Sequence, residues 1–125
     1  MFCRNGNDLA IRHRRYVITD LAMALKPEAP SHEWLATGVS LYTELADFAL
    51  RARGHWGASG KALPRTLMTY LPAFADRFEN AFEALFTEKN GQPVDVLVDD
   101  VLRPFAGRLR DGCRQDAPKE WSDSE

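Results

Sequence analysis

The sequence predicts an all-α protein: an antiparallel up-and-down bundle of four main helices with a short connecting helix. Three observations lead there. Apolar residues recur at steps of three and four along most of the chain, the spacing that lines one face of a helix. No segment of useful length alternates apolar and polar residues as a half-buried strand would, and β-branched clusters are scarce outside the segment that follows Pro93. Prolines and glycines divide the periodic segments with short connections, which makes helical neighbours antiparallel.

The first helix is expected from Asp8 to Leu25, with Ile11, Ile18, Leu21, Ala22 and Leu25 on its apolar face. Asn7 or Asp8 supplies a capping side chain, and Pro27 with Pro30 ends the helix because proline lacks the N–H and clashes with the preceding turn. The second is expected from Ser31 to Arg53. Ser31 offers a hydroxyl to its free amides, and its stripe runs through Trp34, Gly38, Leu41, Tyr42, Leu45, Phe48 and Ala49. Gly54 closes it in a left-handed turn after two arginines.

The stretch from Gly54 to Lys61 is too rich in glycine for a stable helix and is the natural loop for function. A short third helix follows at about Leu63 to Leu71, with Pro64 in its first turn. Pro72 starts the fourth, which runs to about Glu88, repeats phenylalanine at Phe74, Phe78, Phe82 and Phe86, and is ended by Gly91. That ladder is read as core, since each buried ring removes a large apolar area from water. The fifth starts at Pro93 and shows Val94, Leu97, Val98, Val101, Leu102, Phe105 and Leu109 in its apolar pattern, with Pro104 kinking or restarting it. Residues 1–113 form the expected bundle, and the polar residues 114–125 a disordered tail.

A chain of 125 residues suits one core, with roughly two thirds of its unfolded surface buried. Its composition, 45% hydrophobic and 27% charged, is that of a folded protein. The net charge of -2 gives no strong overall field, so neither nucleic acid nor a membrane is expected as a partner. The charge is uneven: Met1 to Arg65 holds 9 Lys and Arg against 6 Asp and Glu, whereas Thr66 to Glu125 holds 7 against 12. The first half is therefore the place to seek an anionic ligand. Cys3 and Cys113 belong to no paired motif and read as free thiols. The absence of a signal-like start and of a run of about 18 apolar residues leads to a cytoplasmic expectation.

Gly57-Ala-Ser-Gly-Lys61 has the flavour of a phosphate loop but fails its pattern. The gap from Gly54 to Gly60 is five residues instead of four, Ala62 replaces the Ser or Thr that would hold magnesium, and no strand precedes it. Lys61 is then either a looser phosphate contact or a solvated lysine. Arg12, His13, Arg14 and Arg15 form either a solvated basic face or an anion grip made by Arg12 and Arg15 at i and i+3. Asp95, Asp99 and Asp100 lie opposite the apolar stripe and read as a solvated acidic side. His13, His32 and His55 lack the partners a metal site needs. No nucleophile-elbow, zinc-protease or catalytic-cysteine motif occurs, so no catalytic residue is assigned.

The segments Arg14-Arg-Tyr-x-x-x-Asp20, Leu45-Ala-Asp-Phe-x-Leu-Arg-Ala-Arg-Gly-His-Trp-x-x-Ser-Gly-Lys61 and Val101-Leu-x-Pro-Phe105 resemble the helical C-terminal domain of nucleotidyltransferase-domain proteins. In that group a polymerase-β-type catalytic domain precedes a helical bundle thought to bind or enclose the acceptor. The Gly-Ser turn and the Asp-x-Asp pair of the catalytic domain do not occur in this chain. The resemblance thus implies a non-catalytic substrate-binding or accessory domain. Lys61, Arg12, Arg15 and Arg65 would balance phosphate charge, and His55 and Trp56 would line an acceptor pocket. Magnesium and a nucleoside triphosphate would be held mainly by a partner catalytic domain or subunit, with no cofactor in this chain. A small-molecule acceptor and a homo-oligomer are left open as partners. The alternative is a helical interaction or regulatory module, antitoxin-like, whose basic face docks an acidic partner.

Overall fold

The computed structural model describes residues 6–55, 58 and 60–109, and every regular element among them is helical. The order is α1 (Gly6–Ala24), α2 (Ser31–Ala52), α3 (Ala62–Tyr70), α4 (Pro72–Glu88) and α5 (Gln92–Leu102), followed by a 3₁₀ turn at Arg103–Phe105. All the expected helical segments are present. Cys3, Cys113 and the expected tail at 114–125 lie outside the described residues. No helix among the described residues is long and apolar enough to cross a membrane.

The corrections fall at helix ends. α1 already includes Asn7 and Asp8, so neither occupies the position just outside the helix from which a side chain caps. Pro30, extended at φ -61° and ψ 151°, holds the cap position of α2, and Ser31 is the first helical residue with no side-chain cap bond. Pro30 contributes only its carbonyl, which accepts the Trp34 N–H at 2.9 Å. α4 is ended by Lys89, which takes a left-handed φ of 54°, before the chain reaches Gly91. Gly91, at φ -91°, instead heads α5. Pro104 sits in the 3₁₀ turn that succeeds α5, a restart in a tighter helix.

Gly54 closes α2 as the sequence predicts. Its φ is 86°, its N–H donates to Arg51 O at 3.0 Å and the His55 N–H donates to Leu50 O at 2.9 Å. These two bonds are the paired closure of a Schellman motif, which needs a left-handed residue that glycine adopts without a Cβ penalty.

α2 touches all four other helices. Against α4 it runs antiparallel: the Trp34 indole donates to Leu85 O at 2.9 Å, Gly38 faces Leu85 and Phe86, and the Tyr42 hydroxyl donates to Glu79 at 2.7 Å. One apolar cluster draws on every helix. Phe78 and Phe82 are fully enclosed there, with the Tyr42 ring edge-on to them at 4.8 Å and 5.2 Å. Each such ring contributes about 1.5–3 kcal/mol by leaving water. The middle of the phenylalanine ladder is therefore core, with Phe74 and Phe86 half-buried against it.

Candidate functional site

Lys61 immediately precedes α3 and is exposed. Arg65, one turn on, is exposed as well, and the two share a side of the helix at i and i+4. Neither side chain makes an ion pair or hydrogen bond among the described residues. His55 lies elsewhere: half-buried, it stacks on Tyr70 with centroids 3.9 Å apart and planes 15° from parallel. α3 rises about 13 Å between Lys61 and Tyr70, so Lys61 and the His55 stack mark opposite ends of this helix. Trp56 lies outside the described residues.

The arginines of α1 are placed apart from these groups, because α1 and α3 make no contact. Arg15 is only 7% exposed, and its Nε donates to Gly107 O at 3.0 Å. Burial, reinforced by the charge of Arg12, lowers its pKa. Thr19, one turn along the same face, accepts the Leu109 N–H at 3.0 Å. Arg15 and Thr19 thereby tie the segment after the 3₁₀ turn to α1. Arg12 is half-buried, and Arg14 donates to Asp47 Oδ2 at 2.6 Å, an oxygen it shares with Arg51 at 2.8 Å. The basic run is thus used largely inside the fold, and the structure does not bring Arg12 or Arg15 to Lys61.

The acidic side is exposed and paired. Arg108 spans Asp95 and Asp99, at 2.7 Å and 2.6 Å. Asp100 accepts from Arg77 and Arg103, and these hydrogen bonds hold its carboxyl below the usual aspartate value. Among the described residues no group of three or more His, Cys, Asp and Glu is arranged to hold a metal.

A cleft of about 330 Å³ opens where the end of α2, the start of α4, the end of α5 and the 3₁₀ turn meet. Ala49, Leu71, Phe74, Val101, Pro104 and Phe105 form its apolar surface, and Arg53, Arg77 and Asp100 supply its polar groups. Phe105 is held in place by the edge of Phe48, with centroids 5.1 Å apart. The His55 and Tyr70 stack is adjacent in sequence to the cleft, one residue beyond Gly54 and one before Leu71. Sequence reasoning missed Arg53, Phe74, Arg77 and Phe105. Arg53 reads as a helix-end cation, and the two phenylalanines stand at the ends of apolar stripes, Phe74 at the start of that of α4 and Phe105 beyond α5, where the assembled helices leave them half-buried.

Comparison with protein families, with curated proteins and with solved structures finds no match.

Proposed function

We propose that this chain is a non-catalytic, substrate-side helical domain that works beside a polymerase-β-type nucleotidyltransferase catalytic domain. One observation carries the reading. The three segments on which the sequence resemblance rests lie against one another: Arg14 pairs with Asp47, Phe48 meets Phe105, and Arg15 bonds the carbonyl of Gly107, two residues past Phe105. Lys61 and Arg65 are two exposed cations on one side of α3, suited to phosphate charge arriving from a partner. Their contribution is electrostatic positioning, and the transfer chemistry belongs to the catalytic domain.

The test is reconstitution with a catalytic domain carrying Gly-Ser and Asp-x-Asp motifs, encoded in the same or an adjacent reading frame. The two associate, and nucleotidyl transfer appears only in the mixture. Transfer by the isolated chain that is lost on mutating Asp99 and Asp100, or a failure to associate, overturns the reading. A second reading, a protein-interaction or regulatory module, is favoured by Leu35 and Val39. They lie one turn apart on α2 and are 50% and 58% exposed, an apolar face that a protein partner would cover.

A further inference from the structure

We infer that the cleft between α2, α4 and α5 binds a small organic anion with a flat apolar body, of the aryl carboxylate class, and that Arg53 holds its carboxylate. Every described lining residue belongs to this chain, so the inference stands apart from any nucleotidyltransferase partner.

Size, lining and charge carry the inference together. A volume of about 330 Å³ lies at the small end of the range of ligand pockets. Two half-buried rings, Phe74 and Phe105, line it, and ring faces and edges pair well with another aromatic system.

The charges of the lining do not cancel. Asp100 is occupied by Arg77 and by Arg103, whereas Arg53, an exposed residue of the lining, has no side-chain ion pair or hydrogen bond among the described residues. Arg53 and Arg77 against Asp100 leave one positive charge over among the lining residues. Leu71 and Phe74, at the amino end of α4, line the cleft, and Phe74 precedes the first backbone donor bonded at that end, Ala75, whose N–H reaches Leu71 O. Free first-turn amides favour negative charge. A planar guanidinium takes a carboxylate through two parallel hydrogen bonds.

Two other hollows among the described residues lack this combination. In the one beside Trp34, Lys89 is already bonded to Ala29 O and lies over the indole. The one beside Val96 contains Arg77, which is committed to Asp100.

The experiment is calorimetric titration of the full chain with 2-naphthoate, and with 2-naphthamide as its uncharged counterpart. Naphthoate binds one to one, naphthamide about tenfold or more weakly, and Arg53→Ala loses about tenfold or more for naphthoate, the range expected of a charge-assisted contact. Arg53→Ala melts as the parent does, because Arg53 is exposed. Ala52→Trp, at an exposed lining position, fills the cleft and abolishes binding, while Lys26→Ala leaves affinity unchanged. Methyl resonances of Leu71 and Val101 shift with bound naphthoate. Equal affinity for acid and amide, an unaffected Arg53→Ala, or no binding of millimolar naphthoate overturns the inference.

Discussion

A side chain on Gly38 of α2 would begin 2.8 Å from Cε1 of Phe86 and 3.1 Å from Cδ2 of Leu85 on α4. Glycine is what lets the two helices approach so closely, even though glycine in a helix interior costs about 1 kcal/mol relative to alanine. Gly38→Leu is expected to destabilise the fold by about 1–3 kcal/mol through overpacking. Gly38→Ala is expected to be close to neutral, since its gain in helix propensity offsets the shift forced on the partly exposed Phe86 ring. Urea unfolding of both variants measures this. A leucine variant as stable as the parent would contradict the close approach.

Arg15 is buried against Gly107 O, so its role in this fold is structural. Arg15→Ala removes a charged donor from the half-buried Gly107 carbonyl, a loss of about 1.5–3 kcal/mol. The melting temperature should fall, and amide exchange near Gly107 and Leu109 should quicken as the segment leaves α1. Unchanged stability would return Arg15 to the solvent-facing basic surface that its sequence spacing permits.

Asp100 sets an acid limit. Arg77 and then Arg103 hold its carboxyl below the ordinary value of 3.8, so the unfolded chain takes up that proton at a higher pH than the folded one. Stability rises with pH wherever the unfolded state binds more protons. The contribution of Asp100 is therefore fully present above its unfolded pKa and is lost as pH falls through the lower, folded value. Unfolding of the parent and of Asp100→Asn, followed from pH 7 to pH 2, should show the variant with a shallower decline below pH 3.8. Parallel curves would mean that the two arginines leave this carboxylate unstabilised.

Most of the fold was legible because its signals are local. Apolar steps of three and four, Pro64 and Pro72 at helix starts and Gly54 at a helix end act within a turn or two of chain, and each falls where expected. The helix ends that differ, at Ser31 and Lys89, are places where backbone conformation overrode residue preference. Lys89 holds a left-handed conformation that glycine would take more readily, and tertiary contacts accompany it: its ammonium donates to Ala29 O at 2.9 Å and lies 5.5 Å from the Trp34 ring centroid.

The candidate site was less legible, because its partners are distant in sequence. That Arg15 turns inward depends on Gly107, 92 residues away. That His55 leaves Lys61 depends on Tyr70. The cleft exists only where the ends of several helices converge.

Whether the exposed cations Lys61 and Arg65, at the start of α3, serve phosphate bound in an assembled nucleotidyltransferase is decided by nucleotide affinity in the complex with the catalytic domain. Lys61→Ala and Arg65→Ala each remove an exposed cation that has no partner among the described residues, so the melting temperature of the isolated chain should not move. In the complex, a charge-assisted phosphate contact is worth about 1.5–3 kcal/mol. Lys61→Ala is thus expected to weaken binding of a nucleoside triphosphate by roughly ten- to a hundredfold, with Lys26→Ala as an inert control. Affinity unaltered by Lys61→Ala, by Arg65→Ala and by the two together would contradict the claim and leave α3 an ordinary solvated helix.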